Sequence, residues 1–385
     1  MIDIHSRESH SILSPYKTLS LFLKYSRYYV SCGVLLHLLF ITCPHSTHAQ
    51  FARYTNGYLQ LGYSAVSEGC GRSTLSNQRG LGTERANPAG LVWQETPFRV
   101  GSSFSSVFTG MGSLLYLGGG MRIDSMSGVG AGLLRFGVDG IQNTLEWRDQ
   151  SGGEDYGRIR RFGIADYALF LSYGRRLPWS GFSVGGVGKI LYRDEGGFAT
   201  GVGIGFDMSI LYRRAEWQVC AAVRDITTTW TLWFIDQKKL GGSTVGESLN
   251  PTAGRAAEGT APSLEVGVSY LFRQDRPWRY GASGRVRASR GNPTSELIAL
   301  GDVTISPAIG GWASYKDIVF LRLGAHQWQW IPYSRQHTDL ISFTPTAGLG
   351  VQGWGLSIDY AFTAPLVTLS MRVNHLVSVS YSFGK

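Results

Sequence analysis

Apolar and polar residues alternate along many short stretches of this chain, from about Phe98 to the C-terminus. In one such stretch the large apolar residues are Val202, Ile204, Phe206, Met208, Ile210 and Tyr212, and the residues between them are Gly201, Gly203, Gly205, Asp207, Ser209 and Leu211. Successive side chains on a β-strand point to opposite faces, so this pattern predicts a strand with one apolar and one small or polar face. A soluble β-sandwich and a membrane β-barrel both fit the pattern.

The alternation predicts fourteen strands. They are Phe98–Phe108, Leu114–Ile123, Val129–Gly137, Asp166–Tyr173, Phe182–Tyr192, Gly201–Tyr212, Trp217–Arg224, Ser263–Phe272, Tyr280–Ala288, Ala308–Tyr315, Ile318–Gly324, Thr346–Val351, Leu356–Phe362 and Val377–Phe383. No stretch after Ala49 is apolar enough for a transmembrane helix. An even number of such strands is typical of bacterial outer-membrane barrels.

Long and short links alternate between the predicted strands from the third strand onward. Arg213–Glu216 and Lys316–Asp317 are short, whereas Asp225–Pro262 and Ala325–Pro345 are long. In an up-and-down barrel every second link lies on the same rim, and outer-membrane barrels have short periplasmic turns and longer extracellular loops. The sequence therefore predicts an all-β fold, a transmembrane up-and-down antiparallel β-barrel of about fourteen strands with both termini in the periplasm.

The positions of the tryptophans favour a barrel with two membrane interfaces, because amphipathic rings are enriched where lipid meets water. Those beside predicted short turns are Trp179, Trp217, Trp278, Trp312 and Trp354, and those in predicted long loops are Trp230, Trp233, Trp328 and Trp330. Four arginines also lie beside the short turns, at Arg175, Arg176, Arg213 and Arg214. We expect these arginines to meet anionic lipid headgroups or to extend along the interface.

The N-terminus has the features of an export signal. Basic residues precede an apolar run, Val30 to Thr42, which is shorter than the ~20 residues that cross a bilayer. Thr47 and Ala49 occupy the small-residue positions of a signal-peptidase site, so we expect residues 1–49 to be a signal peptide. An N-terminal membrane anchor is the alternative. Removing four basic and two acidic residues lowers the net charge from +9 to +7.

Composition and chemistry narrow the function further. The remaining basic residues are spread along the chain, so no nucleic-acid partner is expected. Cys70 and Cys220 are far apart in sequence and are expected to be unpaired residues in packed positions. The mature chain has three histidines, all in predicted loops, and no Ser/His/Asp arrangement, metal-ligand spacing or P-loop is visible. We therefore expect no enzymatic activity, no catalytic residues, no metal and no cofactor.

The segment before the first strand, residues 50–97, carries a family resemblance. It contains Tyr58–Ala65, then Glu68–Ser73, then the element Asn87, Pro88, Ala89 and Gly90. This order, together with the terminal strand Val377–Phe383, resembles the PorV/PorQ proteins of the type IX secretion system, within the FadL-like outer-membrane barrels. The resemblance implies that residues 50–97 fold inside the barrel (98–385) as a hatch. Asn87–Pro88 is a turn initiator and Gly90 allows a positive φ.

Charged residues at inward positions of the predicted strands are candidates for the lumen lining. They are Asp207, Glu265, Arg285, Arg287, Arg322 and Asp359. Such charges either form a ligand site or hold a plug, or they are a paired or solvated lining.

The resemblance implies one of two functions, and outer-membrane lipids are expected partners of both. The first is a secretion accessory that binds a translocon and secreted cargo proteins through the long loops, above all Asp225–Pro262 and Ala325–Pro345. The alternative is a FadL-like transporter with a hydrophobic ligand in its lumen. The order of the N-terminal elements favours the first function.

Overall fold

The computed structural model describes residues 56–77, 80–144, 153–236, 255–273, 277–290, 297–333, 338–365 and 373–384. The predicted signal peptide, residues 1–49, lies outside these ranges. Among the described residues, no helix has the length and apolar character needed to cross a membrane.

The alternating stretches form seventeen strand segments in one antiparallel sheet. Their bounds are β1 Phe98–Val107, β2 Gly112–Arg122, β3 Ser127–Asn143, β4 Arg160–Arg176, β5 Phe182–Asp194, β6 Ala199–Arg214, β7 Trp217–Arg224, β8 Thr229–Ile235, β9 Arg255–Thr260, β10 Ser263–Arg273, β11 Trp278–Arg290, β12 Ile298–Leu300, β13 Val303–Tyr315, β14 Val319–Tyr333, β15 Thr338–Gly353, β16 Leu356–Thr363 and β17 Asn374–Phe383. The sheet closes on itself because β1 pairs with β17, with Phe98 opposite Phe383.

The seventeen segments make a closed barrel of fourteen strands. Both β7 and β8 pair with β6, so they are two parts of one barrel strand. Likewise β9 and β10 are two parts of the next strand, which pairs with β8 and β7 in turn. The short β12 pairs only at the start of β13. Each of the fourteen predicted strands corresponds to one of these barrel strands, which confirms the predicted fold class.

The outer face of the barrel is apolar. Along β6, the outward residues Val202, Ile204 and Met208 are 45–58% exposed, whereas the inward residues Asp207 and Ser209 are each 5% exposed. A membrane barrel requires this arrangement, since its outer side chains contact lipid and its inner side chains face a polar lumen. The alternation in the sequence therefore corresponds to the outward and inward faces of the barrel strands.

The strands extend further toward one rim than the sequence predicts. We call the rim where β1 begins and β17 ends, which also carries the short turns, the turn rim, and the opposite rim the loop rim. Within Asp225–Pro262, Thr229–Ile235 and Arg255–Thr260 are strand, and residues 237–254 lie outside the described ranges. Most of Ala325–Pro345 belongs to β14 and β15, so the prediction that this range is a loop is wrong. On β8 the exposed Trp230, Leu232 and Phe234 alternate with the buried Thr229 and Thr231, so this extension continues the pattern of the predicted strands.

Two tryptophans also differ from expectation. Trp179, Trp217 and Trp354 are strongly exposed on the outer surface near the turn rim. Trp312 lies at an inward position of β13, opposite Gly281, and Trp233 is 9% exposed at an inward position of β8. Neither of these two indoles belongs to the interfacial band that the sequence predicts.

Short helices interrupt the segment that precedes β1. They are the 3-10 helices Gly57–Gln60 and Pro88–Trp93 and the α-helical turns Ala65–Gly69 and Thr83–Ala86. A further 3-10 turn, Tyr156–Arg158, lies between β3 and β4. We call residues 56–97 the N-terminal segment.

Candidate functional site

The inward face of four neighbouring strands, β2 to β5, carries a cluster of apolar side chains beside the charged residues Asp166, Lys189 and Arg193. We call this surface the apolar wall. Its members are Leu114, Tyr116, Leu134, Phe136, Ala168, Phe170, Val187 and Leu191. Most of these side chains are almost completely buried, and Tyr116, Leu134 and Leu191 have no exposed surface. The inward faces of most other strands carry mainly Ser, Thr and charged residues, so the two sides of the lumen differ in chemistry.

The N-terminal segment covers the apolar wall. Tyr58 and Leu81 belong to the same buried cluster, and Leu59, Leu61 and Tyr63 pack against it. The hydroxyl of Tyr58 donates to the carbonyl oxygen of Tyr167 at 3.3 Å, and the Tyr63 and Tyr116 ring centres are 5.0 Å apart. Burial raises the pKa of both Tyr58 and Tyr63 above the usual value, so both phenols stay protonated.

Two neighbouring charged residues of the N-terminal segment lie against this wall. Glu84 is 1% exposed and accepts hydrogen bonds from the hydroxyl of Tyr116 (2.5 Å) and the amide of Gly82 (3.2 Å). Burial is the largest influence on the Glu84 carboxyl and raises its pKa. The guanidinium of Arg85 lies 4.1 Å from the ring centre of Tyr63 and 4.8 Å from that of Phe170. Cation–π contact thus holds a cation inside an apolar cluster.

Four of the predicted lumen residues belong to one network of ion pairs. We call it the charge network, and its members are Lys189, Asp207, Arg224, Asp225, Glu265, Arg285 and Arg287. The ammonium of Lys189 lies 2.7 Å from Asp207 and also contacts Asp225. Arg224 lies 3.5 Å from Asp207 and 3.1 Å from Glu265. Asp207 and Glu265 are 5% and 4% exposed, so both are buried and both are paired.

Arg224 joins the charge network to the N-terminal segment. Its guanidinium donates to the carbonyl oxygens of Arg85, at 3.2 Å, and Ala86. These carbonyls end the helical turn Thr83–Ala86, where a cation is favoured by the exposed carbonyl groups. Arg224 thereby neutralises lumen carboxylates and caps a helix with one side chain.

Lys189, Arg224 and Asp225 are not among the predicted lumen residues. Lys189 has the inward parity of Val187 and Leu191, so the alternation could have identified it. Arg224 ends a predicted strand and Asp225 falls in a predicted loop, so neither was assigned a face. In the structure Asp225 has a positive φ of 54° and begins the break between β7 and β8.

The remaining predicted lumen residues form a separate pair. An Arg322 nitrogen and an Asp359 oxygen lie 2.8 Å apart, and their side chains are 6% and 5% exposed. The two atoms are close but not aligned for a hydrogen bond, so the contact is an ion pair. Nearby, Arg72 of the N-terminal segment lies 2.5 Å from Glu68, and His326 lies 3.9 Å from the same carboxylate.

The backbone of the N-terminal segment lies directly against inward glycines. A Cβ atom added at Gly310 would overlap the Cys70 carbonyl oxygen, and one at Gly174 would overlap that of Pro88. The glycines with such contacts come from seven barrel strands, at Gly128, Gly174, Gly185, Gly267, Gly310, Gly324 and Gly348. Any larger residue at these positions would push the segment away from the wall. The segment therefore contacts the lumen face over most of the circumference.

The predicted element Asn87–Gly90 is part of this contact. The Asn87 amide donates to the Leu75 carbonyl oxygen at 2.9 Å and accepts from Ser209 at 3.1 Å. Ser183 donates to the Ala89 carbonyl oxygen at 2.8 Å, and Pro88 opens the 3-10 helix. Gly90 lies within that helix and does not adopt the positive φ that glycine allows. A Cβ at Gly90 would instead lie 3.2 Å from Thr83.

The four arginines near the turn rim divide by strand parity. The guanidinium of Arg176 lies 4.1 Å from the ring centre of Trp93, and that of Arg213 lies 5.6 Å from it. Arg176 also donates to the Val92 carbonyl oxygen at 3.1 Å. Arg175 and Arg214 are exposed. Only this second pair is placed to meet lipid headgroups, while the first pair holds the end of the N-terminal segment.

The two cysteines among the described residues are buried, and the described residues contain no metal-binding cluster. Cys70 and Cys220 are both buried and unpaired, as predicted. Burial raises the pKa of the Cys70 thiol to about 12, so the thiol is unreactive while the segment is in place. Within the described ranges, no group of three or more His, Cys, Asp or Glu side chains is placed to hold a metal ion.

No protein-family model matches the chain. No curated protein matches it either. Among solved structures, the chain is similar to the Pseudomonas putida toluene transporter TodX, at 13% identity and a TM-score of 0.53, over 84% of this chain and 98% of TodX. It is equally similar to CymD, a monoaromatic hydrocarbon channel, with the same identity, coverage and TM-score. At this identity the likeness shows the barrel fold alone.

Proposed function

We propose that this chain is an outer-membrane transporter of hydrophobic small molecules. The apolar wall carries the proposal. A water-filled barrel has a polar interior, whereas here four adjacent strands present Leu114, Leu134, Phe170 and Leu191 to the lumen. TodX and CymD, which share the fold, are named as carriers of toluene and monoaromatic hydrocarbons. Fold does not determine function, so the proposal depends on the wall.

The N-terminal segment would act as the hatch of this transporter. Its side chains Tyr58, Leu61 and Tyr63 cover the apolar wall, and a hydrophobic ligand would replace those contacts with its own. Apolar burial contributes about 25 cal/mol per Å², so a ligand of modest size gains enough to compete with these residues. On the turn-rim side of the apolar wall, the contacts between the N-terminal segment and the inward glycines would close the lumen. Passage of a ligand would therefore require that the segment move.

The proposed orientation follows from the two rims. The turn rim, where β1 begins and β17 ends, would face the periplasm, and the loop rim would face the cell exterior, as in other outer-membrane barrels. Export by the predicted signal peptide is consistent with this location. A ligand would then enter from the loop rim, where the apolar wall is reached first through Tyr58 and Leu59.

The secretion role implied by the PorV/PorQ resemblance stays a prediction, as do its translocon and cargo partners. Neither of the two similar proteins named above is a secretion protein. Of the predicted cargo surfaces, Ala325–Pro345 is largely barrel strand, and Asp225–Pro262 includes the strand segments β8 and β9. Because the apolar wall has no use in cargo binding, the transporter function is the better supported of the two.

A binding experiment with a matched pair of variants tests the proposal. The protein is reconstituted in nanodiscs and titrated with a fluorescent apolar probe, in parallel with Leu134→Asn and Leu134→Met. Leu134 is fully buried on the apolar wall. We expect Leu134→Asn to weaken binding by at least tenfold, because a buried amide without a partner is costly, and Leu134→Met to bind as the wild type does. Equal binding by all three folded proteins would contradict the proposal.

A further inference from the structure

Arginine side chains converge on the lumen face away from the apolar wall. Arg285 and Arg287 lie on β11, five barrel strands from β4 and six from β3, in a barrel of fourteen strands. Arg72 of the N-terminal segment is the next cation beside them, and its charge influences both Arg285 and His326. The arginines face a space that the apolar cluster does not reach.

The charge network leaves these arginines undercompensated. Lys189 and Arg224 share Asp207, Asp225 and Glu265 at hydrogen-bonding or close ionic distances. Arg285 and Arg287 reach only one oxygen of Glu265, at 3.7 and 3.8 Å, which is longer than a hydrogen bond. The network thus holds four cations and three carboxylates, a formal net charge of +1 among the described residues.

Donors on both arginines are unused. The Nε–H groups of Arg285 and Arg287 are buried, and neither has an acceptor within the described part of the chain. Arg287 donates to Ser263 at 3.1 Å. The two side chains are 21% and 20% exposed, and that of Arg72 is 23% exposed, so the cluster remains open to solvent. Buried donors are nearly always satisfied in proteins, so unfilled ones point to a missing acceptor.

We propose that Arg285 and Arg287 bind a singly charged oxyanion, the carboxylate or phosphate group of a small polar solute. The guanidinium fork matches such groups because it offers paired N–H donors in one plane. One negative charge would balance the formal excess of the network. Its oxygens would accept from the two Nε–H groups, and Arg72 would add a third cation at the edge of the site.

The position of the site favours a small free solute over the headgroup of a long hydrophobic ligand. Arg85 of the N-terminal segment lies between the two sides of the lumen, because its guanidinium contacts Phe170 of the apolar wall and its carbonyl oxygen, like that of Ala86, accepts from Arg224 of the charge network. A ligand that reached both the apolar wall and Arg287 would have to displace this residue. The inference therefore stands whether or not the chain carries hydrophobic molecules.

Calorimetric titration with inorganic phosphate at pH 7 tests the site. The mature chain is held in a neutral detergent with an uncharged buffer, and Arg285→Gln, Arg287→Gln and Arg287→Lys are compared with the wild type. Arg279→Gln is the matched control, because Arg279 pairs with Asp317 at the turn rim, 3.0 Å away. Each protein is first checked for the folded band of a heat-modifiable barrel.

We expect saturable phosphate binding to the wild type and to Arg279→Gln, at least tenfold weaker binding to Arg285→Gln and Arg287→Gln, and intermediate binding to Arg287→Lys. Acetate should compete with phosphate, since a carboxylate offers the same oxygens. An absence of saturable binding to the wild type, or equal affinity in Arg287→Gln, would overturn the proposal. Binding of dodecyl phosphate but not of inorganic phosphate, with loss in Leu134→Asn, would overturn the assignment to a small solute.

Discussion

The contact between Gly310 and Cys70 gives the sharpest test of how the N-terminal segment is held. In Gly310→Ala the new Cβ would overlap the carbonyl oxygen of Cys70. Both atoms belong to main-chain regions that cannot rotate away, so the segment must shift from the wall. Overpacking of this kind costs about 1–3 kcal/mol, which favours the undocked segment by roughly 5–150-fold.

The buried thiol of Cys70 reports this change directly. It is 1% exposed and its pKa is raised to about 12, so it reacts with a maleimide only when the segment leaves the wall. In a Cys220→Ala background, we expect Gly310→Ala to raise the labelling rate of Cys70 by roughly 5–150-fold. The control is Gly284→Ala, where the nearest atom to the added Cβ is 3.9 Å away. Equal labelling of both variants in folded barrels would refute the reasoning.

Two further predictions concern buried charges. Lys189→Met leaves Asp207 and Asp225 buried without their shared cation. The free energy of unfolding in urea titrations should therefore fall by about 3–5 kcal/mol, and adding Asp207→Asn and Asp225→Asn should restore most of this loss. A loss below about 1 kcal/mol in the single variant would contradict the pairing. Burial raises the pKa of Glu84 above 4.5, so the docked segment holds this proton more tightly than the free segment. Docking should therefore be strongest below pH 4.5 and weaken as pH rises through the docked-state pKa. Hydrogen exchange of residues 82–87, corrected for the intrinsic pH effect, should show this trend in the wild type and a flat profile in Glu84→Gln; the same slope in both would argue against it.

The barrel itself was readable from the sequence because lipid and lumen impose opposite chemistries on alternate residues. Val202 to Ile210 illustrate this, since every second side chain must face the membrane. Beyond the membrane the constraint ends, and there the prediction failed. Arg160 to Ala165 and Thr338 to Pro345 continue strands past their predicted bounds by pairing with their neighbours.

The candidate site was only partly predictable. Inward parity identified Glu265, Arg285 and Asp359, since charge on the small or polar face of a strand stands out. The partners of these residues depend on contacts across distant strands, as between Arg224 and Glu265. The fit of the N-terminal segment depends on inward glycines such as Gly310, which carry no periodic signal of their own. The apolar wall was also missed, because inward Leu134 and Phe170 resemble ordinary core residues.

Uptake of a radiolabelled monoaromatic hydrocarbon tests the central claim most directly. The measurement uses cells whose outer membrane lacks its own hydrocarbon channels, expressing the wild type, Leu134→Asn or Leu134→Met at equal levels of folded barrel. The account predicts faster uptake than in cells with an empty vector for the wild type and Leu134→Met, and uptake near the vector level for Leu134→Asn. Uptake by the wild type that does not exceed the vector, or that is unchanged in Leu134→Asn, would contradict the account.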